Sequence, residues 1–203
     1  MIDRPHEGPI SIGQRLKPRI WPTLTEEPVT VPTDSALTHI QFRRFAGCPV
    51  CNLHLRTFIN RKAETDAAGI REVIVFHSAR DDLRKHESDL PFHVIPDPDK
   101  ILYREFGVES SKDALRHPTA RKAIVTGVLR SALRVLRRER PLPPLNPGGG
   151  RLGLPADFLV RSDGLIVGVH YGQHSSDQWS VDEVLALAHS DAQLPQSIGE
   201  EWI

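Results

Sequence analysis

The chain has 203 residues, of which 39% are hydrophobic and 26% charged, with 26 Lys and Arg against 26 Asp and Glu. That length and composition suit one soluble globular domain with a sizeable core. Zero formal net charge removes the global basic field that recruits nucleic acid, and the apolar runs are too short to cross a bilayer. Met1–His6 is followed by no apolar stretch of the kind a secretory signal needs, so a cytoplasmic protein is expected. Its two cysteines, Cys48 and Cys51, close too small a loop to staple a secreted fold. In a reducing compartment such a pair is more often catalytic or metal-binding than structural.

Taken in chain order, residues 1–37 form an N-terminal extension rich in proline, within which Pro28-Val29-Thr30-Val31 reads as part of an edge hairpin. Thr38–Phe42 reads as a strand running straight into Cys48-Pro49-Val50-Cys51. A helix is expected from Pro49 to Ala67, with proline at its first position and Gly69 as its stop. Cys51, Leu55, Phe58, Ile59 and Ala63 share one face of it, so Cys51 points inward. Cys48 precedes the first turn and is expected to face solvent.

Arg71–Phe76 reads as a strand covered on both faces, Arg80–Ser88 as a short helix, and Phe92–Ile95 as another strand. Lys100–Phe106 reads as a helix stopped by Gly107. Residues 108–153 interrupt the pattern as an insertion. It carries a basic helix, about Thr119–Arg138, and then the breakers Pro141-Leu142-Pro143-Pro144 and Gly148–Gly150. Ala156–Val160 and Leu165–Val169 flank the turn Arg161-Ser162-Asp163-Gly164 and form a hairpin. The last helix, Val181–His189, starts with Ser180 and Glu183 in capping-box spacing. No repeat is present. The order of elements implies an α/β layered fold.

The chemistry concentrates on the cysteines. The thiolate is the nucleophile, and a helix N-terminus lowers a thiol pKa through its dipole and free N–H groups. Cys48 occupies that place, with Pro49 and Gly47 shaping the turn. A second thiol one turn further in can attack the sulfenic acid or mixed disulfide formed on the first. A metal reading needs more ligands than the pair supplies: His54 follows at Cys-x-x-Cys-x-x-His spacing and His77 or His93 could join, but structural zinc usually draws on two such knuckles. Asn52 after Cys51 rules out a haem-attachment signature. Arg44 and His54 are candidates for tuning a thiol, His54 being equally consistent with a plain surface residue. The arginines of the basic helix, among them Arg130, Arg134, Arg137 and Arg138, read as a solvated insertion more readily than as a membrane-surface helix. No aromatic residue interleaves them, which argues against single-stranded nucleic acid. His170, Tyr171 and His174 could approach the cysteines, and Trp179 and Trp202 read as packing or tail residues.

Phe42-Arg43-Arg44-Phe45-Ala46-Gly47-Cys48-Pro49-Val50-Cys51 resembles the active-site strand and loop of the peroxiredoxin-like branch of the alkyl hydroperoxide reductase/thiol-specific antioxidant family. Ile12-Gly13 with Pro18, Asp97–Tyr103, Gly153–Val160, Asp163-Gly164 and Asp182–Leu185 fit the same branch. The resemblance covers most of the chain and is weakest over 108–150. It implies a thioredoxin-like fold, a central mixed sheet flanked by helices, over residues 1–203.

It also implies a disulfide oxidoreductase or thiol peroxidase, with peroxide or disulfide as substrate and thioredoxin or glutathione as reductant. It calls for no cofactor and leaves a homodimer open. Peroxiredoxins of this family share P-x-x-x-T-x-x-C. With the final cysteine set on Cys51, Arg44 stands at the proline and Cys48 at the threonine, and the family's later arginine falls near Pro155. A thioredoxin-type layout replaces these helpers, with Cys48 attacking, Cys51 resolving, and Leu154-Pro155 as a cis-proline pair facing the disulfide; attack on peroxide by Cys51, which takes the peroxidatic place in that alignment, stays open. Slow peroxide turnover follows. The rival from another class is a redox-sensing or metal-holding module without turnover.

Overall fold

The computed structural model describes residues 9–25, 27–108, 126, 128, 150 and 152–193. The basic helix, the prolines after it, Gly148 and Gly149, and Trp202 lie outside the described residues, apart from Thr126 and Val128, which are helical.

The sheet grows from β3 (Leu37–Arg43), which lies at its centre. On one side β3 pairs in parallel with β4 (Ile70–Phe76), and β4 with β5 (His93–Pro96). On the other it pairs antiparallel with β6 (Ala156–Arg161), and β6 with β7 (Ile166–Tyr171). The order is β5-β4-β3-β6-β7. The expected edge hairpin forms a separate two-stranded sheet, β1 (Arg19–Trp21) against β2 (Val29–Val31). Gly164, at φ 89°, closes the turn between β6 and β7, where a left-handed conformation suits glycine best.

Every residue of β3 is buried, so the strand must satisfy both layers above and below it. Ile40 and Phe42 face one side with Val73, Val75, Phe158 and Val160. Trp21, Val31 and Phe106 complete that apolar core, in which Phe42, Phe106 and Phe158 rings meet 5.0–5.7 Å apart. The short α4 (Ile101–Glu105) lies on this side. Its Tyr103 hydroxyl donates to the carbonyls of Arg43 and Val75, tying off the carboxyl ends of β3 and β4.

The opposite side is covered by α1 (Pro49–Asn60), α3 (Arg80–His86) and α5 (Val181–Asp191). The long helix expected over 49–67 is broken. Arg61 leaves the helical conformation at φ −115°, and α2 (Lys62–Ala67) follows. The arginine side chain donates to Glu64 and to Asp182 on α5. Cys51, Leu55 and Phe58 are buried as expected, whereas Ala63, beyond the break, is exposed. Ser180 and Glu183 form the expected capping box. Among the described residues no helix is long and apolar enough to cross a membrane.

Candidate active site

The carboxyl end of β3 delivers the chain into Arg44-Phe45-Ala46-Gly47-Cys48, and α1 begins at Pro49. Cys48 is the N-cap of α1 and makes no side-chain cap hydrogen bond. The N–H groups of the first turn are therefore directed at whatever lies before the helix. Here it is the Cys48 sulfur, approached by the N–H groups of Val50 and Cys51.

Both thiols are reduced and enclosed: Cys48 is 0% exposed and Cys51 1%. The expectation that Cys48 faces solvent is thus corrected. Phe45 and Val50 pack around the pair. The Arg44 guanidinium lies 5.3 Å over the Phe45 ring and sets Nη1 3.6 Å from Cys48 Sγ, closing the remaining side. Sequence spacing gave Cys48 its place at the helix end but carried no sign of this cover.

The two thiols differ strongly in acidity. Burial pushes the Cys48 thiol up, but the hydrogen bond from Cys51, the Arg44 charge and the two N–H groups outweigh it and bring the pKa down to about 6. Burial also pushes Cys51 up, and its hydrogen bond to Cys48 and the charge there push it further. The surroundings thus favour the charged form at Cys48 and the protonated form at Cys51.

Two glycines let the chain come close enough. Gly47 sits at φ 75°, and a Cβ there would fall 2.8 Å from His86 Nδ1. Gly153 places backbone beside the site, where a Cβ would fall 2.9 Å from His77 Nε2 and 3.9 Å from Arg44 Cγ. Leu154-Pro155 is a trans peptide; among the described residues the cis bond is Val31-Pro32. The cis-proline expectation is therefore corrected. The Pro155 carbonyl already accepts the Gly172 N–H at 2.9 Å, so the chain enters β6 extended and without a reversal. Leu154 and Pro155 line a cavity of about 290 Å³ with Val108, Tyr171 and Gly172.

His54 lies on α1, one turn past Cys51. Its ring packs on Phe58 at 5.2 Å, and burial together with the Arg43 charge lowers its pKa to about 3, so it stays neutral. His170 stacks on Trp179 and contacts Asp177. Among the described residues no three His, Cys, Asp or Glu side chains are placed to hold a metal ion.

A group that spacing did not reveal lies beneath α1. His39 Nδ1 is 2.8 Å from Glu72 Oε2 and its Nε2 3.3 Å from Asp157 Oδ1. Arg43 Nη2 donates to Asp157 Oδ1 at 2.7 Å and to Gln41, and Gln41 donates to Glu72. All five side chains are buried. Alternation along His39, Gln41 and Arg43 is the one signal in the sequence, and it reads as a solvent face rather than a covered one.

Residues 57–174 match the model of the AhpC/TSA antioxidant enzymes. The chain belongs to this family. The matched segment begins after Cys51 and includes the sheet from β4 through β7. No curated protein matches the sequence. Among solved structures, the peroxidoxin BcpB of Mycobacterium tuberculosis superposes with a TM-score of 0.62 at 15% identity, over 89% of this chain and 97% of that one. The reduced 2-Cys peroxiredoxin of Plasmodium vivax gives 0.61 at 10% identity, over 94% and 90%. A candidate thiol:disulfide interchange protein DsbE of Chlorobium tepidum gives 0.53 at 16% identity, over 90% and 98%. These similarities establish a thioredoxin-like fold, and family membership makes this a thiol-based redox enzyme.

Proposed function

We propose that this family member reduces small hydroperoxides with Cys48 as the attacking thiolate and Cys51 as the resolving thiol. One observation carries the reading. The Cys48 sulfur stands at the N-terminus of α1 with Arg44 Nη1 3.6 Å away and the Cys51 thiol hydrogen-bonded to it. In the first step the thiolate attacks the terminal peroxide oxygen. The O–O bond breaks, the hydroxyl passes to sulfur so that Cys48 becomes a sulfenic acid, and the alkoxide or hydroxide leaves as alcohol or water on taking one proton from solvent. In the second step the Cys51 sulfur attacks Cys48, the S–S bond forms, and water leaves with the Cys51 proton.

A dithiol or glutathione-class thiol then returns two electrons by exchange. The enclosure of Cys48 favours a small hydroperoxide over a protein disulfide. Arg44 supplies the positive charge near the reacting sulfur, while the family's proline and threonine are replaced. Turnover is therefore expected to be slow for a peroxidase, in a compartment that keeps both thiols reduced.

Mass mapping after one equivalent of hydrogen peroxide is expected to show a Cys48–Cys51 disulfide. Cys51→Ser is expected to stop at a sulfenic acid on Cys48, trapped by dimedone. Two free thiols in oxidised wild-type protein, or a sulfenic acid trapped on Cys51 in Cys48→Ser, would overturn the assignment.

A further inference from the structure

We propose that Glu87 is a positioning residue, a buried carboxylate that holds the cysteine loop down on the protein, keeps Cys48 enclosed and so restricts it to small oxidants. The proposal rests on the reading of Cys48 as the attacking thiol and adds what sets its access.

Glu87 is 1% exposed and follows α3, its N–H bonded to the Leu83 carbonyl at 2.7 Å. Its Oε1 accepts the Gly47 N–H at 2.8 Å and the Asn52 side-chain amide at 3.2 Å. That same amide donates to the Cys48 carbonyl at 3.2 Å, so one carboxylate grips the loop on both sides of the thiol. Ser78 Oγ accepts the Ala46 N–H at 2.9 Å, and the Cys48 N–H goes back to the Phe45 carbonyl at 3.1 Å. The amides of residues 46–48 are thereby committed away from the sulfur. Those of Val50 and Cys51 are left for it.

The fit is close. Gly47 lies so near the His86 ring that any side chain would collide with it. A hydrogen bond from a backbone N–H to a carboxylate is charge-assisted and about twice as strong as a neutral one. Lifting the loop would strip the buried carboxylate of two donors, which is costly in the interior. Glu87 touches no reacting atom. It acts through the loop, and local opening of that loop is what would admit a large reagent.

The test measures alkylation of Cys48, mapped by mass spectrometry, with iodoacetamide and with a bulky fluorescent maleimide from pH 5 to 9. Wild type is expected to react with iodoacetamide with a midpoint near pH 6, and far more slowly with the maleimide. Glu87→Ala is expected to raise the maleimide rate relative to iodoacetamide by about tenfold, the effect of one lost charge-assisted hydrogen bond. Its midpoint is expected to move up as the Val50 and Cys51 amides lose their aim.

Asn52→Ala, which removes one leg of the grip, is expected to do the same by a smaller factor, and it stands in if Glu87→Ala does not fold. Glu87→Gln keeps an acceptor oxygen without the charge and is expected to give a ratio between wild type and Glu87→Ala. Unchanged ratio and midpoint in folded Glu87→Ala, or in Asn52→Ala where the first does not fold, would overturn the proposal. A wild-type midpoint at the free-thiol value near pH 8.5 would instead overturn the reading of Cys48 itself, whatever the variants do.

Discussion

The two faces of the central sheet are cut from the same strands and hold together by different means. On one side Ile40, Phe42, Val73, Val75, Phe158 and Val160 meet Trp21 and Phe106 in an apolar core that is indifferent to pH. On the other, His39, Gln41 and Arg43 alternate with those residues and meet Glu72 and Asp157 under α1. Charge is enclosed there at the root of the helix that carries the cysteines. Apolar burial is forgiving about partners. Buried charge holds only while every partner stays in place, because an orphaned ion in the interior costs more than the pair contributes. The helix over the second face is therefore held in one position rather than merely attracted to the sheet.

The largest expected effect is on the apolar side. Phe158→Ala removes a fully buried ring from between Phe42, Phe106 and Tyr171 and is expected to cost about 4 kcal/mol in urea unfolding. The Cys48 alkylation midpoint is expected to stay where it was, and a shift with the fold intact would show that the faces are not separate.

Asp157→Asn acts on the other side. It leaves the His39 and Arg43 charges short of a partner, with an expected loss of about 3 kcal/mol at pH 7. A neutral result would mean that the charges rearrange freely, against the fixed-helix picture.

The third effect is a slope. Burial pushes His39 down, but the Glu72 charge and the Asp157 and Glu72 hydrogen bonds raise its pKa to about 9. A raised folded pKa gives stability that is full below the ordinary histidine value near 6.5 and lost as pH rises through 9. Wild type is expected to lose on the order of 2 kcal/mol from this source between pH 6 and 9. Cys48, whose pKa is lowered, contributes in the opposite sense over the same range. The difference between wild type and His39→Gln isolates the histidine, and equal slopes in the two would remove it from the account.

The smallest effect belongs to Arg44. Arg44→Gln takes the positive charge from beside Cys48 and is expected to raise that thiol's pKa and slow its alkylation at pH 6.5 by several-fold, within about 1.4 kcal/mol. The pH dependence of unfolding due to His39 should not change.

Most of the architecture was legible in the sequence because its signals are local. Proline after Cys48, glycine after the helices, Asp163-Gly164 in a turn and the Ser180 capping box each act within a few residues. The break at Arg61 was not, since no proline or glycine marks it in the local sequence. The cover over Cys48 escaped for a different reason: Phe45 and Arg44 are next to it, but nothing in their spacing says that they fold back on it. Leu154-Pro155 resembled a cis pair only by analogy, and the bond is trans. His54 looked like a thiol neighbour at one helical turn. Burial and the charge of Arg43 beneath α1 keep it neutral, and that charge does not stand beside it in the sequence.

The residues that bond the amides of the cysteine loop, Ser78 and Glu87, lie beyond β4, in a part of the chain that is made after the cysteines. A ribosome therefore releases Cys48 before the groups that hold its loop in place exist. Until the sheet closes, that thiol is an ordinary one with a pKa near 8.5, mostly protonated and slow to react. Reactivity arrives together with shelter, in a single event. A chain that never completes its sheet carries two harmless cysteines rather than an exposed and easily overoxidised one.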